Sequence, residues 1–206
     1  MKRVLSILAM ALLLAGCGSR ATTYYLLQED MDPFQIQDLP GTALVVTSVN
    51  IPDYLDRNGV VLREEGGSVL NVPVFNIWAE PIEEGVRRVV SARMARPMLE
   101  RGIYVLPAQD AHQTPAYSVV IDILRMDAVT DGEVVLDACW SFLDTDTQRI
   151  ITRGSFVGSE KVEMPKFGTR EMFDVIVSAH SRLVQQMGDL IGERGRVVLS
   201  PRRQDR

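Results

Sequence analysis

The sequence predicts an α/β domain of the α+β kind: a mixed, mainly antiparallel sheet with two long helices packed on it. Three observations carry that expectation. Residues 116–162 hold three long strand-like runs joined by the short turns "TDG" and "DTDTQ", the pattern of an antiparallel meander. Residues 81–97 and 169–193 repeat their apolar residues at helical spacing instead. No internal repeat, low-complexity run or second-domain boundary interrupts them. Setting aside a leader at 1–16 leaves about 190 of the 206 residues, enough for one core.

The elements follow in order. "TTYYLLQ" is a first strand by its aromatic and aliphatic content, and residues 30–41, with Pro33 and Pro40, form a loop. "ALVVTSVNI" is a second strand, ended by Pro52. Asn58-Gly59 offers a turn into a third strand around residues 60–63, and Gly66-Gly67 reverses the chain into "SVLNVPVF", giving a hairpin. Pro81 suits the first position of a helix, where its missing N–H leaves no partner unsatisfied. Ile82, Val86, Val89, Val90 and Met94 form that helix's apolar stripe, Pro97 kinks or ends it, and "IYVLP" follows Gly102 as a strand. In the meander Val134, Leu136, Ala138, Trp140 and Phe142 share one face. The second helix buries Met172, Ile176, Ala179, Leu183, Met187 and Leu190 and ends at Gly195, before a mobile basic tail at 201–206.

Little in the composition points to chemistry. The formal net charge is −5, and an acidic chain lacks the basic surface that phosphate neutralisation requires, so nucleic acid is not an expected partner. P-loop, GxGxxG, CxxC, HExxH and GxSxG patterns are absent. His112 and His180 are far apart and, with Cys139, do not assemble a zinc ligand set. Cys139 lies in a strand-like stretch and reads as a small strand residue. "DTDT" at 144–147 lacks the glycine and downstream Glu of a calcium loop and needs only a turn explanation. The expectation is a non-enzymatic protein without metal or cofactor. A carboxylate-based hydrolase is the alternative, though no pair of carboxylates is selected for it.

The amino terminus is more particular. Lys2 and Arg3 precede an apolar run at 4–15 broken only by Ser6. That run is shorter than the ~20 apolar residues that cross a bilayer but matches the h-region of a secretory signal. Leu14-Ala15-Gly16-Cys17 resembles the lipobox of bacterial lipoproteins. The resemblance implies cleavage before Cys17, with diacylglycerol on its thiol and an N-acyl group on its amine. More than one acyl chain is needed for stable anchoring, at ~0.8 kcal/mol per buried methylene. Gly18 rather than Asp after the cysteine implies outer-membrane delivery, facing the periplasm. Residues 17–23 would then be a lipidated tether leading into a domain at 24–200.

Two further segments carry more character than secondary structure demands: "IPDYLDRNGVVLRE" at 51–64 and "IWAEPIEEGVRRVV" at 77–90. With the lipobox and the early "YYLL", in that order, they resemble the PqiC-like family of ABC-type transport auxiliary lipoproteins. The resemblance implies an α/β domain with no catalytic residues, serving an intermembrane lipid-transport system. Its implied partners are an MCE-domain periplasmic protein and an ABC permease and ATPase, with self-association into a ring. Ile51, Pro52, Tyr54, Leu55, Asp56 and Arg57, with Trp78 and Glu80, are the candidate partner-binding residues, since Tyr and Arg are enriched at interfaces. The residues equally allow a structural corner, Leu55 entering the core while Asp56 and Arg57 hold the turn, and Trp78 can be a core residue. An assembly lipoprotein for another outer-membrane machine is the alternative function.

Overall fold

In a computed structural model, residues 21–29, 42–107 and 114–202 are described. The leader, Cys17 and His112 lie outside them. Nine strands and two helices form the described part: β1 (Thr23–Tyr25), β2 (Thr42–Asn50), β3 (Leu62–Arg63), β4 (Leu70–Asn71), β5 (Asn76–Trp78), α1 (Ile82–Leu99), β6 (Ile103–Leu106), β7 (Tyr117–Val129), β8 (Glu133–Asp144), β9 (Ile150–Lys161) and α2 (Arg170–Val198). The expected α+β class holds. β7, β8 and β9 pair antiparallel along almost their whole length. On the edge of β7 opposite β8, β2 runs parallel to its first half and β3 to its last two residues. β6 extends the sheet beyond β2, also in parallel, and β4 closes the hairpin with β3. β1 and β5 make a separate two-stranded parallel sheet.

Alternation explains the core. Val134, Leu136, Ala138, Trp140 and Phe142 of β8 are all buried, as period two requires. In β7 the pattern changes partway. Tyr117, Val119, Ile121 and Ile123 face the core, then Met126 and Ala128 do. A register shift between Ile123 and Arg125 leaves Leu124 unpaired and exposed, a β-bulge that exchanges the two faces of the strand.

The helices depart from expectation at their ends. Pro81 is the N-cap of α1, with Ile82 the first helical residue, and Pro97 is accommodated inside the last turn. α2 passes through Gly195 to Val198. A Cβ on Gly195 would meet Phe142 Cζ at 2.8 Å and Met98 Cε at 2.9 Å, so this glycine serves packing, not termination. Gly192 and Gly188 do the same one and two turns earlier, against Pro97 and Met94 and against Arg93 and Val90 of α1. Leu190, expected in the buried stripe, is 41% exposed, and Ile191 is buried in its place. The tail expected to be mobile from 201 is held at its start. Arg202 N–H donates to Thr42 Oγ1 at 2.6 Å, and its guanidinium pairs with Asp144 and Asp146 and lies 5.0 Å from the Tyr117 ring centre. Those contacts also give the acidic turn at 144–147 a second use beyond reversing the chain.

Candidate functional site

The three segments singled out in the sequence fold against one another. Thr23 N–H donates to Phe75 O and Ala79 N–H to Tyr25 O, both at 2.7 Å, stitching β1 to β5. The other edge of β5 meets the corner at 51–60. Trp78 N–H donates to Asn58 O at 2.6 Å, Val60 N–H to Asn76 O at 3.1 Å, and Gly59 bridges Ile77. A Cβ on Gly59 would lie 2.5 Å from Val72 Cγ1 and 2.8 Å from Pro73 O, so the close approach of corner and hairpin requires a glycine there.

Within the corner the residues divide between the two roles. Leu55 N–H donates to Pro52 O at 2.9 Å to close the turn, and Leu55 is buried. Ile51 and Tyr54 are half-buried against the core, and Tyr54 Oη accepts Met126 N–H at 3.1 Å, anchoring the corner just past the β7 bulge. Pro52 is also half-buried, while Asp53, Asp56, Arg57 and Asn58 point to solvent. Asp56 and Arg57 make no side-chain pair with another described residue, so they do not hold the turn.

Trp78 and Glu80, candidates for partner contact with a core role open to Trp78, both make contacts inside the domain. Trp78 is buried, with its ring edge-on to His180 at 6.4 Å between centres. Glu80 is half-buried and shares Arg88 with Glu29, at 2.8 and 3.0 Å, while Arg88 also donates to Leu27 O at 2.9 Å. This clamp ties the chain after β1 to α1.

A charged cluster beneath the corner was not legible in the sequence. Asp127 is 0% exposed and accepts from Arg63 Nη2 and Nε at 2.7 and 3.1 Å, and from Arg125 Nη2 and Nε at 2.8 and 3.1 Å. Burial pushes its carboxyl up, but the hydrogen bonds from Arg125 and Arg63 outweigh that and hold it below the usual carboxylate range. The only sequence signal was a carboxylate two positions from an arginine at 125–127, which the bulge turns onto the same face. His180 is 1% exposed, its Nδ1 has no partner, and burial lowers its pKa to about 4 despite Asp127. Among the described residues, no group of three His, Cys, Asp or Glu side chains could hold a metal.

Comparison with known proteins places this geometry. The family model for the ABC-type transport auxiliary lipoprotein component matches residues 24–192, from β1 into the last third of α2. The chain belongs to that family. As a transport auxiliary lipoprotein it is associated with a membrane through a lipid anchor, and no described helix is long and apolar enough to cross one. The intermembrane transport lipoprotein PqiC of Escherichia coli K12 is 28% identical over 133 residues, covering 63% of this chain and 68% of PqiC, and the Shigella flexneri protein matches equally. A crystal structure of an uncharacterized protein superposes with a TM-score of 0.67 at 20% identity, over 85% of this chain and 99% of that one. A Xanthomonas campestris protein does so at 0.60 and 17%, over 85% and 96%. These two structures establish the shared fold alone.

Proposed function

We propose that this transport auxiliary lipoprotein is a non-catalytic, outer-membrane-anchored component of an MCE/ABC-type intermembrane lipid-transport system. It is lipidated on Cys17, faces the periplasm, and docks the MCE-domain component while self-associating. The observation that carries the reading is the convergence of β1, the corner at 51–60 and β5 into one substructure. On it the exposed side chains of Asp56 and Arg57 make no pair with another described residue. Charged and polar residues left free on a rigidly held turn are suited to a partner's complementary groups, where they add specificity and association rate. The name of the PqiC relative, an intermembrane transport lipoprotein, supports the same direction.

Co-purification tests it. The full-length chain, solubilised from envelopes in mild detergent, is expected to recover MCE and ABC components, and the Asp56→Arg, Arg57→Glu double variant to lose them while remaining folded. Recovery of a different outer-membrane machine, with MCE components present but not bound, would assign the chain to assembly elsewhere. Cys17→Ala should leave unprocessed precursor that takes up no labelled palmitate.

A further inference from the structure

A second surface lies on the opposite side of β5 from the corner. A groove of about 600 Å³ opens between β1, the chain after β4 and the start of α2, with Leu62 and Phe173 among its lining residues. Both are buried core residues and form its floor. Its walls end in side chains that a soluble surface would be expected to cover: Val74 is 77% exposed, Phe167 61% and Phe75 42%. Lys166 and Arg170 stand either side of Phe167 in sequence and are exposed. Asp174, one turn further along the helix, approaches Arg170 only to 3.8 Å.

The tether decides what faces this groove. Ala21 and Thr23 line it, and Thr23 N–H is bonded to Phe75 O at 2.7 Å. From Cys17 to Ala21 the chain spans at most about 14 Å even when fully extended. With Cys17 held in a bilayer, Ala21 at the edge of the groove lies within that distance of the headgroups. We infer that the groove is where the domain rests on its membrane. Val74, Phe75 and Phe167 enter the boundary between headgroups and acyl chains, while Lys166 and Arg170 meet lipid phosphates. Exposed apolar and aromatic side chains with a Lys and an Arg beside them are the composition of an interfacial membrane contact. Apolar rim residues otherwise left in water gain a use. The contact would fix the orientation of the domain, which the anchor alone would leave free. This inference rests on the Cys17 anchor proposed above.

The test uses the full chain, processed in cells, purified with its anchor and reconstituted into phosphatidylethanolamine and phosphatidylglycerol vesicles with or without brominated acyl chains. Phe167→Trp and Phe75→Trp are made separately. Both positions are exposed, so the fold should tolerate them, and the buried native Trp78 and Trp140 supply an unquenched background. The expected result is a blue shift of the added emission and loss of most of it in brominated vesicles, diminished when Val74→Asp is combined with either variant. Mass spectrometry of the amino-terminal peptide is read first. Absence of the lipid mass overturns the anchor, and the contact with it. A lipidated chain that floats with vesicles but keeps its added emission unquenched overturns the contact alone. A blue shift without quenching also overturns it, assigning the groove to a second copy or to the anchor's own acyl chain.

Discussion

The meander and the corner are stabilised by different means. β7, β8 and β9 are 13, 12 and 12 residues long and satisfy one another's backbones along nearly all of that length. β3, β4 and β5 have two or three residues each, too few to hold a ladder without help. They depend on single polar contacts: Tyr54 to Met126, the two arginines on Asp127, and the backbone bridges between 58–60 and 76–78. A long strand distributes its stability over many similar pairs and loses little with any one. A region assembled from singular contacts concentrates stability in a few atoms, and leaves its outward side chains free for other work.

Substitutions separate the two regimes. The largest effect is expected where the layer behind the meander is closest-packed. Gly192→Leu would push Pro97 and Met94 off α2, since even a Cβ there lies 2.8 Å from Pro97 Cγ and 3.2 Å from Met94 Cα. Overpacking a backbone contact of this kind should cost about 3 kcal/mol or more, read as a lowered denaturation midpoint. Under the corner, Asp127→Asn leaves Arg63 and Arg125 facing each other without the carboxylate. Removing one partner of a buried charge cluster is strongly destabilising. With the arginines partly in water, the expected loss is about 2–3 kcal/mol, with cleavage by protease beginning near 51–64 rather than in the meander.

His180 gives the comparison a pH axis. Its folded pKa, about 4, is depressed from 6.5 because burial disfavours the charged form. Below 6.5 the unfolded chain therefore binds a proton that the folded chain refuses, and stability falls with pH until the folded pKa is reached. Between pH 7 and 5 this group alone should remove about 2 kcal/mol. His180→Leu, which also deletes the partnerless Nδ1, should flatten that limb with little change at pH 7.5. Asp127, whose pKa is lowered, keeps its contribution above the unfolded value and loses it only as pH falls through the folded one, so the two groups act in separable windows. A smaller effect belongs to Tyr54→Phe, which strands Met126 N–H: about 1 kcal/mol, constant across the acid range where His180 and Asp127 titrate.

The same contrast governs what could be read in advance. The buried face of β8 and the stripe of α1 are periodic, so residue spacing was sufficient to find them. Leu190 was misplaced because two helical faces differ there by one residue, and only the approach of α1 to Gly188 and Gly192 selects Ile191. Nothing in the sequence singles out Gly188 and Gly192, and Gly195 has the look of a terminator, because a close helix crossing leaves no local signature. The bulge at Leu124 was invisible for a related reason. Alternation simply changes phase, and the turning of Asp127 toward Arg63 depends on a partner 64 positions away. At the corner the residue types marked the region without dividing it. Leu55 and Trp78 are buried, Tyr54 and Glu80 half-buried on partners within the domain, and Asp56 and Arg57 remain as the exposed pair among the candidates.

That division makes the smallest stability effect the most informative one. Asp56→Ala with Arg57→Ala removes two exposed side chains that have no partner among the described residues, from a turn closed by the Leu55–Pro52 backbone bond. Surface changes of this kind stay within about 0.5 kcal/mol, so the midpoint should hardly move. If the corner serves partner docking, the same variant should lose the MCE-containing complex in envelope pull-downs, and its difference from the parent chain should be largest at low salt and narrow at higher salt, where rim electrostatics are already screened. Tyr54→Phe should show the opposite ratio, a measurable loss of stability with partner recovery preserved once the protein is folded. Unchanged recovery in the double alanine variant would return the corner to a purely structural role, no different in kind from the bridges of β5. A loss confined to that variant would instead separate the two halves of the corner, an inner one that builds the domain and an outer one that addresses the transporter.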